Sequence, residues 1–301
     1  MKKKYYIYQV DSFTTERFCG NPAGVVLNAD GLTELQMQAI ARELNNSETA
    51  FLLSPNSTDH DVWVRFFTPT VEVPSCGHAT IAAHFVRAIE NNLPSCTVTH
   101  KIGIGILPVE IQNDNGNYKI IMTQGKVTFS KPFLGQTKSE ILSAIGLSSS
   151  DLDERCLIQI VSTGHSKVMI GIKTKDKLNS LQPNLSKLSQ ISKMIECNGY
   201  FIFTLDSDSP DILTHGRMFA PAIGIPEDPV TGNANGPLGA YLVKHQLVDS
   251  SKNYIKYKAK QGEAIGRPGF VDVEVELEEG NPVKTKVGGN AVIVYKTEIE
   301  L

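Results

Sequence analysis

Residues 74–86 read "PSCGHATIAAHFV", and residues 227–243 read "EDPVTGNANGPLGAYLV". In both stretches, glycine and other small residues come directly before an apolar run, which predicts a turn that opens a helix. The first turn also carries a cysteine and a histidine, and the second follows an aspartate. Two helices that begin alike, one in each half of the chain, indicate that the same layout occurs twice.

The surrounding sequence supports a repeat with a period of about half the chain. Three short segments of the first half have weak counterparts in the second, in the same order and at offsets of 150, 153 and 152 residues. The paired segments begin at Gln9 and Gln159, at Leu32 and Leu185, and at Arg65 and Arg217. Offsets that agree while identities stay few are typical of an old duplication.

Each half predicts the same order of strands and helices. In the first, the segment "LTELQMQAIARELNN" (32–46) predicts a helix, because Thr33 and Gln36 form a capping-box pair and two asparagines end the apolar stripe. In the second, "LSKLSQISKMI" (185–195) predicts the corresponding helix, and strands "YFIFTL" and "ILTHGRMFAP" follow it. We therefore predict an α+β fold of two similar domains, each wrapping a sheet around a helix.

No low-complexity linker separates the two halves. The polar turn "NDNGN" (113–117) is the best candidate for a boundary. We expect a first domain of residues 1–117 completed by a C-terminal strand, 290–301, and a second domain of residues 118–289.

Composition and charge exclude several classes of function. The 301 residues are 41% hydrophobic and 20% charged, as in a globular protein long enough for two domains. The net charge of −3 gives no basic field for a phosphate backbone, so we expect no nucleic-acid partner. No apolar run suits a signal core or a membrane span, which favours a cytoplasmic protein without a membrane partner. The five cysteines are odd in number and lack a CxxC pair, which argues against disulfides and a structural zinc site.

The two glycine turns suit a small anionic ligand. Glycine lets ligand atoms approach the backbone, and the first N–H groups of a helix have no partner within it. Such helix starts favour carboxylates. We expect the backbone at Gly77 and at Gly232 to Asn233 to bind a substrate carboxylate in a cleft between the domains. The alternative is that these glycines only cap the helices.

Acidic residues distinguish the two halves. The offset that aligns the helices places Glu48 of "NNSETAFLL" opposite Phe201, and the counterpart of Asp228 falls near a proline or a serine. One acid in each half, at non-equivalent positions, suits a one-sided proton transfer. Glu48 lies between a helix end and an apolar strand, a setting that suits a general acid or base. The alternative is a solvated acid at a strand end.

Cysteine and histidine at the first turn leave further roles open. His78 is a candidate second acid/base group or a hydrogen-bond donor to a substrate carboxylate, and the alternative is a helix-cap partner. Cys76 suggests a nucleophile, but residues i and i+2 at a helix start do not generally face each other, so no Cys–His pair follows from their adjacency. His78 and His84 are six residues apart rather than four, and we expect no metal site.

Four blocks, spread over nearly the whole chain, resemble one family. They are "VDSFTTERFCGNPAGVVL" (10–27), "NNSETAFLL" (45–53), "RFFTPTVEVPSCGHATIAAH" (65–84) and "GRMFAPAIGIPEDPVTGNANGPLGAYLV" (216–243). On these blocks the chain is identified as a member of the phenazine-biosynthesis PhzF-like family, near its YddE-type bacterial members, with the diaminopimelate epimerase fold. The resemblance implies two pseudo-symmetric domains, each a barrel-like sheet around a central helix, with the active site in the interdomain cleft, no cofactor and frequently a homodimer.

The resemblance also implies roles for single residues. In the characterised member, an isomerase of trans-2,3-dihydro-3-hydroxyanthranilate, a glutamate moves a proton between ring carbons while a histidine, an aspartate and a serine hold the substrate. These roles fall on Glu48, on the pair Gly77 and His78, and on Asp228. The family's serine is Asn233 here, which changes the reach of that hydrogen-bonding group. Epimerases of this fold use two cysteines, and the second turn has none, so a two-thiol racemase is disfavoured.

The sequence leaves three functions open. The first is a cofactor-independent isomerase of a small carboxylate, with Glu48 as the proton shuttle and with His78 and Asp228 orienting the substrate. The second is a protein that binds a small acid without turning it over. The third is an acyl-transfer enzyme with Cys76 as its nucleophile.

Overall fold

The computed structural model describes residues 3–301, which form two compact units. The first unit runs to Thr123 and is completed by Gly288–Leu301, and the second is Gln124–Val287. The sequence analysis placed the boundaries at 117 and 290. In the structure, "NDNGN" is the turn of a hairpin inside the first unit, because Asn115 and Gly116 both take the positive φ that tight hairpin turns require.

The elements up to Thr123 are, in chain order, β1 (Lys4–Ser12), β2 (Asn21–Val26), α1 (Glu34–Leu44), β3 (Thr49–Leu53), β4 (Val62–Phe67), β5 (Glu72–Val73), α2 (Gly77–Glu90), β6 (Cys96–Ile102), β7 (Gly105–Asp114) and β8 (Asn117–Thr123).

The remaining elements are β9 (Thr128–Phe129), α3 (Gly135–Ile145), β10 (Gln159–Ser162), β11 (Lys167–Ile172), α4 (Lys175–Ser180), α5 (Leu185–Ile195), β12 (Tyr200–Thr204), β13 (Ile212–Ala220), β14 (Ile225–Asp228), α6 (Gly232–Lys244), β15 (Tyr254–Gln261), β16 (Gly269–Glu278), β17 (Asn281–Gly289) and β18 (Ala291–Glu300). Short 3₁₀ turns lie at Ser149–Asp151, Pro221–Ile223 and Glu263–Ile265.

The two units repeat one order of strand pairing. In the first, β1–β2 is antiparallel, β2–β3 parallel, β3–β4 and β4–β5 antiparallel, β4–β6 parallel and β6–β7 antiparallel. In the second, the same series runs β10–β11, β11–β12, β12–β13, β13–β14, β13–β15 and β15–β16, with the same directions. The predicted α+β class and internal repeat are confirmed.

α2 and α6 are the central helices of their units. Every residue of α2 from Gly77 to Val86 is buried, and the helix packs against β1, β2, β3 and β8. α6 is buried over most of its length and packs against β10, β11 and β16. A helix that is apolar on all sides belongs inside a sheet rather than on its surface. Between residues 3 and 301 the structure contains no helix that is both long and apolar enough to cross a membrane.

Helix caps correct the alignment of the two halves. Thr33 caps α1 and Asn184 caps α5, an offset of 151 residues rather than the 153 taken from the sequence. The starts of β3 and β12 have the same offset. Glu48 is therefore equivalent to Gly199 and not to Phe201. The offset of 153 was wrong because it paired Leu32 with Leu185, whereas the N-cap side chains mark where each helix begins.

Candidate active site

Glu48 lies in the short turn between α1 and β3, and backbone contacts fix it there. α1 ends at Asn45, which takes the left-handed conformation, with φ 51°. Gln9 and Asn46 exchange two amide hydrogen bonds of 2.9 and 2.8 Å across the turn. The Glu48 carbonyl accepts the N–H of Gly24 at 3.2 Å. The Glu48 side chain is only 13% exposed, so this carboxyl faces other side chains more than water.

His78 is the second residue of α2 and faces Glu48. Its Nε2 lies 3.3 Å from Glu48 Oε2 and 3.2 Å from the hydroxyl of Ser47. Its own carbonyl accepts the hydroxyl of the fully buried Ser12 at 2.8 Å, which anchors the start of the helix. Glu48 Oε2 is buried, and it accepts no well-oriented hydrogen bond from any residue between 3 and 301. A carboxylate oxygen in this state can take up a proton without first giving up a strong hydrogen bond.

Cys76 contacts His78, a pairing that their adjacency in the sequence did not imply. Its sulfur lies 3.5 Å from His78 Nδ1 and 4.0 Å from Nε2. The rule used for i and i+2 applies inside a helix, but Cys76 is the N-cap of α2 and has an extended backbone, φ −150° and ψ 128°. The extended backbone of Cys76 directs its side chain back toward the imidazole ring of His78.

The start of α2 has the features of an anion site. The Cys76 side chain makes no capping hydrogen bond, and the first turn, from Gly77, carries no acidic residue. The first N–H groups of an α-helix lack partners within it, and the helix dipole makes this end positive. A carboxylate placed here would lie beside Glu48 and His78.

In the second unit, Asp228 ends β14 beside the start of α6. The Thr231 hydroxyl donates to Asp228 Oδ2 at 2.5 Å, and Gln261 Nε2 donates to the Asp228 carbonyl at 2.8 Å. Gln261 Oε1 also accepts the Thr231 N–H at 3.1 Å. In the first unit, the strand register places Val73 at the position equivalent to Asp228. The acid therefore has an aliphatic counterpart, and this residue directly precedes Pro74 and Ser75, near which the counterpart was expected.

Gly232 and Asn233 form the first turn of α6. Gln124 Nε2 donates to the Gly232 carbonyl at 3.1 Å and to Asn233 Oδ1 at 3.2 Å. Gln124 approaches the helix at Gly236, where a Cβ would lie 1.9 Å from the Gln124 Oε1 atom. By position in the helix, Gly232 and Asn233 correspond to the Gly-His pair of α2. The structure thus gathers the sequence-predicted residues into two clusters, one in each unit.

Lys167 is a charged residue beside the second cluster that the sequence analysis did not predict. It begins β11, is only 8% exposed, and donates to the Ser166 carbonyl at 3.2 Å. A Cβ at Gly199 would lie 2.3 Å from Lys167 Cδ, so the lysine stem fills the space of a side chain at the position equivalent to Glu48. Burial lowers the pKa of Lys167, while the charges of Cys197 and Asp228 oppose that shift. A lysine at a strand start gives no sequence signal, since lysine is rarely buried.

His84, compared with His78 in the search for a metal site, belongs to the core of the first unit. Its Nε2 lies 3.3 Å from His100 Nδ1, and both residues are buried. Burial lowers the pKa of His100 to about 4, and burial with repulsion from His100 and Arg87 lowers the pKa of His84 well below its usual value. The two rings are therefore neutral and pack as core residues.

Comparison with known proteins supports one family. The sequence matches the family described as phenazine biosynthesis-like protein over residues 10–297. It is 62% identical, over the full length of both chains, to an uncharacterized isomerase of Clostridium acetobutylicum. It is 48% identical to the uncharacterized isomerase YddE of Escherichia coli, with 98% of each chain covered. It is 31% identical to the trans-2,3-dihydro-3-hydroxyanthranilate isomerase of Pseudomonas fluorescens, with 97% and 98% covered.

Solved structures give the same fold. The phenazine biosynthesis protein of the PhzF family from Bacillus anthracis superposes with a TM-score of 0.89 at 34% identity, and 99% of each chain is covered. A hydroxyproline epimerase of Agrobacterium vitis shares the fold at 11% identity, with a TM-score of 0.65 and 100% and 94% covered. The predicted epimerase-like fold is confirmed.

Proposed function

The chain belongs to the phenazine biosynthesis-like family, whose named members are isomerases, and we propose that it moves a proton within a small carboxylate substrate by acid/base catalysis through Glu48. Glu48 takes a proton from one carbon of the substrate and returns it to another, so that bonds shift but no oxidant, reductant or second substrate is consumed.

One observation carries this proposal: the shielded Glu48 carboxyl faces the imidazole of His78 at 3.3 Å. A proton carrier must be held close to the reacting carbon and must have a carboxylate oxygen that can accept the proton without losing a strong hydrogen bond. The turn that fixes Glu48 meets the first condition, and Oε2, which accepts no well-oriented hydrogen bond, meets the second. His78 would hydrogen-bond the substrate and orient it toward Glu48.

Substrate binding falls to backbone and polar groups at the helix starts. We assign the backbone at Gly77 to the substrate carboxylate, because a helix N-terminus whose first turn carries no acidic residue favours an anion. In the second unit, Asp228 would orient the substrate, and Gly232 and Asn233 would supply further hydrogen bonds. Asn233 stands where the family pattern has a serine, and we expect this difference to alter which substrate binds.

The second unit also supports a carboxylate rather than a thiol mechanism. A two-thiol racemase needs a cysteine at the start of each central helix. Cys76 occupies that place in α2, but the N-cap of α6 is Thr231, whose hydroxyl is bonded to Asp228. A threonine hydroxyl is far too weak an acid to replace a thiol in proton abstraction.

The name of one relative supports a proposal for the substrate class. The Pseudomonas fluorescens relative is named for trans-2,3-dihydro-3-hydroxyanthranilate, a cyclic amino acid with one carboxylate. We propose a small cyclic carboxylate for this chain as well, turned over without a cofactor by a cytoplasmic homodimer. Light scattering of the purified protein tests the dimer.

The test is turnover of trans-2,3-dihydro-3-hydroxyanthranilate and of related cyclic carboxylates, followed by NMR. We expect at least one to be isomerised, with activity lost in Glu48→Gln and kept in Cys76→Ala. Binding of these acids without product from the wild type would instead favour a binding protein. Loss of turnover in Cys76→Ala, with a covalent acyl adduct on the sulfur, would favour the acyl-transfer enzyme.

A further inference from the structure

Three side chains of different chemistry meet at the start of α2 in the first unit. Glu48, Cys76 and His78 each offer one donor atom, and these oxygen, sulfur and nitrogen atoms all lie within 4.8 Å of one another. Cys76 is a thiol and forms no disulfide. The spacing of two histidines on one helical face does not predict this cluster, because its ligands come from a turn, an N-cap and a helix.

The distance between Glu48 and His78 suits a tetrahedral metal ion, and the sulfur of Cys76 lies within 4.8 Å of both donor atoms. Zinc lies about 2.3 Å from thiolate sulfur and about 2.0–2.2 Å from nitrogen or oxygen, which sets the ligand atoms roughly 3.3–3.6 Å apart around a tetrahedron. Glu48 Oε2 and His78 Nε2 are 3.3 Å apart, and Cys76 Sγ and His78 Nε2 are 4.0 Å apart. Because Cys76 Sγ lies nearer to His78 Nδ1, at 3.5 Å, than to Nε2, the Cys76 side chain must rotate toward the Nε2 edge of the ring before all three atoms can bind one ion.

The donor set selects among metals. One thiolate, one imidazole and one carboxylate favour zinc over magnesium or calcium, which prefer oxygen ligands alone. A thiolate and a carboxylate together balance the 2+ charge. Burial of Glu48 Oε2 without a well-oriented hydrogen bond adds a carboxylate oxygen that a cation would satisfy.

We propose that Glu48, Cys76 and His78 form a zinc(II) site with a fourth position left for water or another ligand, and that zinc bound there stops the isomerase. Zinc on Glu48 Oε2 and His78 Nε2 occupies the atoms that carry and orient the proton, so metal binding and proton transfer exclude each other. This second part rests on the proposed function, whereas the metal site does not.

Zinc binding is measured directly, by titrating chelator-treated protein with zinc chloride against a competing chromophoric chelator. We expect one zinc per chain with a dissociation constant in the micromolar range or tighter. Cys76→Ser and His78→Gln should each weaken binding at least tenfold. The matched control is Cys96→Ser, which changes a partly exposed thiol of the same unit outside the cluster and should bind as the wild type does.

Cobalt(II) supplies a spectroscopic signature of the sulfur ligand. The wild type and Cys96→Ser should show a thiolate-to-cobalt charge-transfer band in the near ultraviolet, and Cys76→Ser should lack it. Absence of stoichiometric binding, or binding that Cys76→Ser leaves unchanged, overturns the site. Circular dichroism of each variant separates loss of a ligand from loss of the fold.

The two parts of the proposal fail differently. If zinc binds through Cys76 but turnover at saturating zinc stays within twofold of the zinc-free rate, the inhibition is wrong and so is the role of Glu48. If turnover depends on Glu48 and zinc does not bind, only the metal site is wrong. In each protein the rate with zinc is compared with the zinc-free rate of that same protein.

Discussion

The negative charge of Asp228 is the property of this residue that we expect to matter most for activity. Its carboxylate accepts the Thr231 hydroxyl, and its carbonyl is held by Gln261, so the acid is fixed at the start of α6. We predict that Asp228→Asn, which keeps the shape and removes the charge, lowers kcat/KM by on the order of 10²-fold. The control is Asp211→Asn at an exposed position of the same unit, which should match the wild type. Steady-state kinetics of both variants would contradict the assignment if the two behave alike.

At the residue scale, sequence reasoning found residue types but not their contacts. Glu48, His78 and Asp228 could be selected because acids and histidines beside apolar runs and glycine turns are typical of proton transfer. The contact between Cys76 and His78 depends on one extended N-cap residue, which no spacing rule describes. Lys167 was missed because its burial depends on Gly199, which is far along the chain and leaves room for the lysine stem.

At the scale of elements, the position of Glu48 depends on close packing between β2 and β3. A Cβ at Gly24 would lie 2.7 Å from Thr49 Oγ1 and 2.8 Å from Leu44 Cδ1, so Gly24→Ala must displace the turn that carries Glu48. We predict a loss of about 1–3 kcal/mol in the free energy of unfolding, typical of overpacking. Turnover of the folded variant should fall as well.

The control for Gly24 is Gly171→Ala in β11 of the second unit, whose added Cβ would crowd the Cys156 side chain. It should lower the free energy of unfolding by a similar amount and leave the chemical step closer to that of the wild type. Equal kcat values for the two folded variants would contradict a specific effect of Gly24 on the glutamate. Urea denaturation and kcat measured well below the unfolding transition separate the two effects.

The buried pair formed by His84 of α2 and His100 of β6 predicts sensitivity to acid. Burial lowers the pKa of His100 to about 4 from an ordinary value of 6.5, so the unfolded chain binds more protons between these values. Stability is therefore complete above pH 6.5 and falls as the pH drops toward 4, by about 3 kcal/mol for His100 alone. His84 adds to the loss in the same direction.

Urea denaturation at a series of pH values measures this loss. His100→Asn should reduce the slope of unfolding free energy between pH 6.5 and 5.5, a range above most of the titration of ordinary carboxylates. An unchanged slope would show that the buried histidines do not control the acid response.

The elements themselves were predictable where side chains mark their ends. α1 has its capping box and asparagine stop, and α5 begins after a capping asparagine, so their limits follow from the sequence. α3 was not predicted, because its N-cap is Leu134, which makes no capping bond, and its first residue is Gly135 at positive φ. A helix that starts without a cap is recognisable only from its packing, which the sequence pattern does not give.

At the scale of the whole molecule, the last strand completes the first unit. β18 pairs antiparallel with β1 along the whole length of β1, from Lys4 to Ser12. Deleting residues 290–301 should expose β1, including the buried Tyr5 and Ile7, and destabilise the first unit. Hydrogen exchange followed by mass spectrometry should show lost protection in β1 and β2. Protection there equal to that of the full chain would contradict this role.

The proposed function depends above all on the path of the proton. The decisive measurement is solvent exchange in D₂O, followed by NMR, for the wild type and Glu48→Gln incubated with the cyclic carboxylate that the wild type isomerises. We predict deuterium at the carbon that receives the proton with the wild type, and exchange at least 10²-fold slower with Glu48→Gln. Deuterium incorporation by Glu48→Gln at the wild-type rate would contradict the central claim that Glu48 carries the proton.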